Sequence, residues 1–329
     1  METSIRRPHG AIARPSSYEN RVPGRPNPPL MAGYSNRSFL LIGGDAEIGS
    51  ATAWYLRRRG RAVAATTRRP ECVSSERPLL DLAGSLDSWE PPSSTVAACI
   101  FAAVARLLDC ARDPIRSCQV NVTGTLALIQ KLRSYGIPVL WLSTDKVFDG
   151  SRAHIPSHAP PNPVSEYGRQ KAETETALRL LPAGPPLAIL RLAKVVSPGT
   201  PLLMQWVRSL TAGEPVQAFH DMKMAPTPIA LVRSVIEKWL DAPVTGVFQL
   251  SGPRDVSYAE AADYLARKFG ADPALVQRVS AFGAGLPEGS TAQNTTLDSS
   301  AVAERYGIVV PDVWTIVDNT VDPVNRPLS

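Results

Sequence analysis

Residues 141–171 read WLSTDKVFDGSRAHIPSHAPPNPVSEYGRQK. The stretch opens with an apolar run that predicts a buried strand, places Ser143 and Thr144 at the end of that strand, and closes on Tyr167 and Lys171. Residues four apart on a helix lie on the same face, so the tyrosine and the lysine are expected side by side. A lysine ammonium beside a phenol favours the phenolate and is expected to lower the tyrosine pKa from about 10. The stretch therefore predicts a proton-transfer site.

Neighbouring polar residues extend this prediction. The hydroxyl of Thr144 is placed to hold a substrate carbonyl beside Tyr167, and Asp145 follows it directly. Asn121, in an upstream helical stretch, is predicted to brace the strand that carries Thr144, with a solvent-facing polar residue as the alternative. A threonine or aspartate after a strand is also often an ordinary cap. The combination with an upstream glycine-rich turn makes the proton-transfer interpretation the more specific one.

That glycine-rich turn follows the first apolar run, residues 38–42. Residues 43–49 read GGDAEIG, and a helical pattern continues through residue 59. A strand, a glycine turn and a helix form the first unit of a dinucleotide-binding fold, in which amides at the helix start bind pyrophosphate. Ala46 stands where the usual G-x-x-G-x-x-G pattern has its middle glycine, and alanine is the smallest substitute. The predicted cofactor contacts in the turn are Gly43, Ala46, Glu47, Ile48 and Gly49.

The second predicted strand, residues 62–66, is followed by Arg68 and Arg69 rather than by an acid. An acid at this place would hydrogen-bond the adenosine ribose of NAD, whereas an arginine accommodates the 2′-phosphate of NADP. The arginine pair therefore favours NADP. The alternative is a solvated loop in an arginine-rich protein.

Four further strands and a long helix complete the first half of the chain. The predicted strands are residues 79–82, 95–103, 139–143 and 186–192, and the helix is residues 113–135. Asp81 and Leu82 are candidate neighbours of the adenine, and Ala102 and Ala103 end a fully buried strand where a cofactor passes close. Strands that alternate with helices at this spacing predict an α/β fold with a doubly wound parallel sheet, the Rossmann arrangement.

The second half of the chain has a less regular pattern. Helices near residues 229–240 and 257–269 flank a predicted strand at residues 246–250, and we interpret this half as a smaller α/β substrate domain. The first residues are rich in Pro, Arg, Ser and Asn without periodicity, which predicts a disordered tail. The predicted organisation is a tail at 1–36, a nucleotide-binding domain at 37–192 and a mainly substrate-binding domain at 193–329.

Composition argues against several classes of protein. Hydrophobic residues make up 44% of the chain and charged residues 20%, as in an ordinary globular protein. Much of the net charge of +5 comes from arginines before residue 38, so no basic stripe for nucleic acid is predicted on the folded body. The longest apolar run, residues 96–105, is about half of what crosses a bilayer. The four cysteines form no C-x-x-C pair and have no histidines at zinc spacing, which predicts no metal site and fits a reducing, cytoplasmic location.

The motifs together resemble those of the extended short-chain dehydrogenase/reductases. They are the glycine turn, Asn121, STDKVFDG at residues 143–150, Pro163, YGRQK at residues 167–171, and Arg191. Within that superfamily, the STDKVFDG run is similar to the dTDP-4-dehydrorhamnose reductase branch, and residues 221–227 resemble part of its substrate domain. The resemblance covers roughly residues 38 to 320.

This resemblance implies hydride transfer from a nicotinamide cofactor to a keto-sugar attached to a nucleotide. The cofactor supplies the hydride, while the protein supplies placement and charge. By motif match Tyr167 would protonate the alkoxide, Lys171 would hold the nicotinamide ribose, and Thr144 would orient the carbonyl. The cofactor would also contact Asn121 and Ser143. The implied substrate contacts are Thr144, Asp145, Lys146 and Lys194, and a homodimer is left open.

Two departures from the family concern the sugar. Lys146 stands where rhamnose-forming enzymes usually carry tyrosine, and Lys194 where they usually carry tryptophan. Because a lysine suits a carboxylate or a phosphate, we hypothesise that the substrate carries an anionic group beyond its diphosphate, such as a uronate. The alternative is that these lysines point to solvent or pair with an acid such as Asp145.

Two other functions remain open at this level. One is a sugar-nucleotide epimerase or dehydratase of the same superfamily, which would retain its nicotinamide through the reaction cycle. The other is a non-catalytic nucleotide-binding regulatory subunit, since the β subunit of methionine adenosyltransferase resembles this family too. The presence of Tyr167, Lys171 and Thr144 together favours an enzyme.

Overall fold

The computed structural model describes residues 37–286 and 289–322. Its strands are β1 (Ser38–Ile42), β2 (Val63–Ala65), β3 (Thr95–Ile100), β4 (Val139–Thr144), β5 (Leu187–Leu192), β6 (Val195–Val196), β7 (Val216–Phe219), β8 (Lys223–Met224), β9 (Thr227–Pro228), β10 (Gly246–Leu250), β11 (Val256–Ser257) and β12 (Val276–Val279). Its helices are α1 (Glu47–Arg58), α2 (Leu107–Arg112), α3 (Pro114–Cys118), α4 (Thr125–Ser134), α5 (Glu166–Arg179), α6 (Pro201–Thr211), α7 (Ile229–Asp241), α8 (Tyr258–Lys268), α9 (Ser300–Tyr306) and α10 (Val313–Val321). The predicted tail lies outside the described residues.

Six parallel strands form the central sheet in the order β10-β5-β4-β3-β1-β2. Both faces of the sheet are covered by helices, so its strands are buried on both sides and read as nearly continuous apolar runs. Helices α1, α7 and α9 pack on one face through residues such as Leu56, Trp239 and Val302. Helices α4 and α5 pack on the other face through residues such as Ile129 and Leu178. The predicted doubly wound α/β architecture is confirmed.

The second half of the chain contributes to two cores. Strand β10 and helices α7 and α9 belong to the central sheet and its covering layer. Helices α6, α8 and α10 form a separate apolar cluster that includes Leu203, Leu265 and Val317. Three pairs of short strands, β6 with β9, β7 with β12 and β8 with β11, lie outside the central sheet.

Two predicted strands differ from the structure. Residues 79–82 form no strand, because this segment contacts the end of β2 only through a single parallel bridge between Thr67 and Leu79. The strand predicted to reach Ala103 ends at Ile100. On the β1 side its last hydrogen bond runs from the amide of Phe101 to the carbonyl of Ile42, at 2.9 Å, where β1 itself ends. On the other side its pairing with β4 ends at Ile100 and Trp141, although β4 continues to Thr144.

The long helix predicted for residues 113–135 is broken. Pro114 begins the short α3 and the side chain of Asp113 caps it, so a separate helix α2 precedes it. Residues Gln119–Gly124 then form a wider π-helical turn before α4 begins. In that turn Gly124 packs so closely against the carbonyl of Leu82 that a Cβ at this position would overlap it. The helical periodicity continues through all of these pieces, so it gave no sign of the break.

Candidate active site

A cavity of about 1250 Å³ opens where the chain leaves the carboxyl ends of β1, β2 and β3. Crevices at this edge of an open parallel sheet are where such folds bind nucleotides. The cavity brings together most of the residues predicted to contact a cofactor. They are Gly43, Ala46, Glu47, Arg68, Arg69, Asp81, Leu82, Ala102 and Ala103. The lining of the cavity does not include Ile48, Gly49, Asn121, Ser143, Tyr167 or Lys171.

The glycine turn has the shape of a phosphate cradle. Gly43 has φ +89°, and a Cβ there would lie 2.8 Å from the amide of Ala102. Gly49 is buried beneath the turn, where a Cβ would overlap the carbonyl oxygen of Gly43. Ala46 takes an extended conformation as the N-cap of α1, with φ −75°, so it needs no glycine there, and no side chain caps this helix start. The first-turn amides of α1 are therefore left to bind an anion, and the turn fits a dinucleotide pyrophosphate.

Asp45, which the sequence reading did not single out, ties this turn to the end of β2. Its carboxylate accepts hydrogen bonds from the hydroxyl of Thr67 at 2.8 Å and from the amide of Arg68 at 3.3 Å, and pairs with Arg77 at 2.6 Å. Partial burial opposes ionisation, but these hydrogen bonds and the charges of Arg69 and Arg77 together hold the Asp45 pKa below its usual range. The carboxylate thus fixes the loop from which Arg68 and Arg69 face the cavity.

Tyr167 and Lys171 share a face of α5, as their spacing predicts, but the expected effect on the tyrosine pKa is wrong. Burial, the charge of Asp145 and the nearby Cys110 thiol raise the Tyr167 pKa rather than lowering it. Burial also lowers the Lys171 pKa to about 7, against the opposing charge of Glu175 and the smaller effect of Cys110. A lysine that is half neutral near pH 7 stabilises a phenolate only weakly.

The ammonium of Lys171 contacts strand β4 rather than the hydroxyl of Tyr167. Its Nζ donates to the carbonyl of Leu142 at 2.9 Å and lies 4.3 Å from the ring centre of Trp141. The ring centre of Tyr167 is 5.9 Å away. Within the described part of the chain, the tyrosine hydroxyl has no hydrogen-bond partner, so it is available to a bound molecule.

The residues after β4 form a small polar cluster. The hydroxyl of Thr144 donates to Asp145 at 3.0 Å and accepts from the amide of Lys146 at 3.2 Å, so Thr144 caps the short 3-10 turn that follows. Lys146 pairs with Asp145 at 3.4 Å, which is the alternative left open for this lysine. Lys194 is exposed and pairs with no acid among residues 37–286 and 289–322. Of the two unusual lysines, Lys146 therefore has a counter-charge and Lys194 has none among the described residues.

Ser143 belongs to a buried charged network beneath the site rather than to the cavity. Its hydroxyl donates to Glu175 at 2.7 Å, and Arg191 binds both oxygens of the same carboxylate at 2.9 and 2.6 Å. Arg191 also donates to Gln249 on β10 at 3.0 Å, so the network joins α5 to three strands of the sheet. Glu175 was not among the predicted site residues, although its position four residues after Lys171 places it on the same helical face.

Asn121 braces a different element from the one predicted. Its Oδ1 accepts from the amide of Val104 at 2.8 Å, and its Nδ2 donates to the carbonyl of Val104 at 3.0 Å and to Gln170 at 2.8 Å. The asparagine is fully buried, so the solvent-facing alternative is wrong as well. It holds the cavity loop after β3 and helix α5, not strand β4, because the π-helical turn directs its side chain toward them.

Residues 37–286 and 289–322 contain no group of three or more side chains placed to hold a metal ion. Over the same ranges, no helix is long and apolar enough to cross a bilayer.

The chain is similar in sequence to a known family and to known reductases. A model of the RmlD substrate binding domain matches residues 37–325. The chain is 30% identical over 257 residues to the probable low-salt glycan biosynthesis reductase Agl14 of Haloferax volcanii, which covers 72% of this chain and 82% of that protein. It is 29% identical over 259 residues to a dTDP-4-dehydrorhamnose reductase of Mycobacterium tuberculosis, covering 76% and 81% of the two chains.

Solved structures share the fold. A crystal structure of a dTDP-4-dehydrorhamnose reductase from Clostridium acetobutylicum superposes with a TM-score of 0.72. The match covers 88% of this chain and all of that one, at 19% identity. At this identity the likeness concerns the fold alone.

Proposed function

Because this chain belongs to the RmlD substrate binding domain family, we propose that it is an NADP-dependent reductase of a nucleotide-linked keto-sugar. Both of the relatives described above are named as reductases, and the one from Mycobacterium tuberculosis is named as a dTDP-4-dehydrorhamnose reductase. The observation that carries the proposal is the placement of Tyr167 near Asp145, which follows β4, in a fold whose glycine turn fits a dinucleotide. The Tyr167 hydroxyl has no hydrogen-bond partner among the described residues.

We assign the role of proton donor to Tyr167. Burial and the charge of Asp145 raise its pKa, so the side chain is a neutral phenol at physiological pH and holds the proton that a developing alkoxide needs. Thr144, at the end of β4, would orient the carbonyl through its hydroxyl, exchanging its hydrogen bond to Asp145 for one to the substrate. Lys171 would donate to the nicotinamide ribose once its Nζ leaves the carbonyl of Leu142. A bound nicotinamide would supply the hydride.

Two groups of the cavity are proposed to hold the cofactor. The free amides at the start of α1 would hold the pyrophosphate, and Arg68 and Arg69 would hold the 2′-phosphate of NADP. Asp45, the acid that contacts the end of β2, is already paired with Arg77 and is therefore not free for a ribose diol. On the substrate side, Lys194 is the unusual lysine that keeps its charge available for an anionic group on the sugar.

Titration of the protein with NADPH and NADH, followed by a screen of nucleotide-linked keto-sugars, tests the proposal. NADPH is expected to bind more tightly, and Arg68→Ala with Arg69→Ala should erase most of the difference, because charge-assisted hydrogen bonds are worth about 1.5 to 3 kcal/mol. Equal affinities in the unmodified protein would contradict the NADP assignment. Release of one oxidised cofactor per turnover identifies a reductase, whereas a retained cofactor identifies an epimerase.

A further inference from the structure

Gln170 lies at the junction of three elements that surround the site. It is buried on α5, directly before Lys171, and its side chain contacts both α3 and the π-helical turn. The side-chain oxygen accepts from Asn121 at 2.8 Å. The side-chain nitrogen donates to Ser117 at 2.8 Å and to Glu166 at 2.9 Å. Every polar atom of this amide is therefore bonded inside the protein.

The direction of these hydrogen bonds follows from one backbone group. The amide of Val104 can only donate, so the Asn121 atom that faces it, 2.8 Å away, must be the oxygen. The nitrogen of Asn121 then faces Gln170, which must present its own oxygen in return. This leaves the Gln170 nitrogen toward Ser117 and Glu166. A chain of hydrogen bonds with a single polarity thus runs from the loop after β3 to helix α5.

The two ends of this chain belong to different parts of the site. Val104 lines the cavity, together with Ala102 and Ala103, where the cofactor is proposed to bind. Gln170 lies on α5 between Tyr167 and Lys171. These two residues are four positions apart and share a face of the helix. Helix α2 also holds this loop, because the Cys110 thiol donates to the carbonyl of Val104 at 3.1 Å. Asn121 and Gln170 add a continuous hydrogen-bonded connection from the loop to α5.

We propose that Gln170 is a positioning residue that couples the cavity loop to the Tyr167 and Lys171 face of α5. The inference rests on the proposed reductase function. Gln170 touches no reacting atom. It sets the rotation of α5 relative to the loop, so that a molecule bound against Val104 meets Tyr167 in a reactive orientation.

Gln170→Leu and Gln170→Glu test this, with Thr176→Val as the matched control. Thr176 is on the same helix, and within residues 37–286 and 289–322 its hydroxyl bonds only the carbonyl of Ala172. Removing this hydroxyl therefore breaks no hydrogen bond to another element. In Gln170→Leu, kcat is expected to fall at least about tenfold while the KM for the sugar stays within about threefold, since a buried network loses both its donors and its acceptor. Hydrogen exchange at the Val104 amide should quicken. Thr176→Val should change none of these.

Gln170→Glu separates positioning from simple loss of stability through its pH profile. A protonated carboxyl keeps one donor and one acceptor and can replace the amide, whereas a carboxylate would face Glu166 without a donor. Burial and the neighbouring Glu166 on α5 raise the pKa of the new acid, while the Cys110 thiol on α2, whose own pKa burial raises, stays neutral in this range. The kcat of this variant relative to wild type should therefore rise as pH falls from about 8 to 5, in protein shown to be folded by circular dichroism.

Three results would overturn the proposal: a kcat of Gln170→Leu within about twofold of wild type, an equal loss in Thr176→Val, or a flat relative pH profile for Gln170→Glu. If the wild-type protein reduces no nucleotide-sugar, the proposed function fails. Hydrogen exchange at the Val104 amide in Gln170→Leu then still decides whether Gln170 holds the cavity loop. Unchanged exchange there would contradict it independently of activity.

Discussion

Burial shifts the pKa values of Tyr167 and Lys171 on α5 in opposite directions. The low-polarity surroundings disfavour both a charged lysine and a charged tyrosine, so the Lys171 pKa falls to about 7 and the Tyr167 pKa rises. The same desolvation therefore keeps the proton on Tyr167 and takes it from Lys171. For a reduction this is the useful state, because the tyrosine has a proton to give before the substrate acquires its negative charge.

The Tyr167→Phe variant tests the role of that proton. Removing the hydroxyl should lower turnover at least about a hundredfold, the low end of what general acid catalysis contributes. The affinity for NADPH should change little, since the aromatic ring remains. Stopped-flow reduction and fluorescence titration measure the two quantities. Tyr135→Phe, at the exposed end of α4, is the control and should leave both unchanged. Near-normal turnover in Tyr167→Phe would remove the tyrosine from the mechanism.

Lys171 predicts a pH dependence for cofactor binding. Its pKa of about 7 in the folded protein means that its charge is lost as pH rises above 7. If the ammonium holds the cofactor, the Kd for NADPH should rise between pH 7 and 9, by at most about tenfold per unit. The 2′-phosphate is already ionised over most of that range. Lys171→Met should bind more weakly at pH 7 and show a flat profile, and an equal slope in both proteins would contradict the assignment.

At the scale of elements, a buried ion pair holds helix α5 to the sheet. Glu175 on α5 and Arg191 on β5 are both completely buried, and Arg191 also reaches Gln249 on β10. The same arginine donates to the carbonyl of Ser157 at 3.0 Å, so the segment between β4 and α5 is held as well. Such a pair contributes geometry more than net stability, because its attraction must first offset desolvation of both charges.

Removing one partner of this pair should therefore be costly. Arg191→Met leaves Glu175 buried without its main counter-charge and should lower the free energy of unfolding by about 3 to 5 kcal/mol. Arg179→Met is the matched control, because Arg179 binds the same carboxylate at 2.9 Å from a side chain that is 40% exposed. It should cost less than about 1 kcal/mol. Urea unfolding measures both, and similar losses in the two variants would argue against a structural role for Arg191.

At the scale of the molecule, residues 37–322 behave as one compact unit in their described parts. The second half of the chain supplies β10 as the sixth strand of the sheet and α7 as part of its covering layer. Val232, Ile236 and Trp239 of α7 are completely buried against the sheet. The proposed cofactor region at 37–192 thus depends on residues that follow it by fifty or so positions for a closed core.

A fragment of residues 37–192 tests this dependence. Without β10 and α7, the strand β5 becomes an open edge and one sheet face loses its apolar cover, so the fragment should aggregate or unfold without a cooperative transition. A chain of residues 37–322 is the control and should unfold in urea like the full protein. Cooperative unfolding of a monomeric 37–192 fragment, seen by circular dichroism and gel filtration, would show that the first region folds independently.

The sequence by itself determined the strands β1 to β5, the glycine turn and the helical face that Tyr167 shares with Lys171. Each rests on local rules: buried parallel strands need apolar runs, a tight turn under a helix needs glycine, and residues four apart share a helical face. Tertiary structure decided the direction of the Tyr167 pKa, because desolvation depends on everything packed around the ring. It also decided the partner of Asn121, since Gln170 lies 49 positions away along the chain and reaches it only after the π-helical turn and α5 have packed together. Local pattern fixes which face a residue occupies, whereas the groups that meet across that face are set by packing between distant segments.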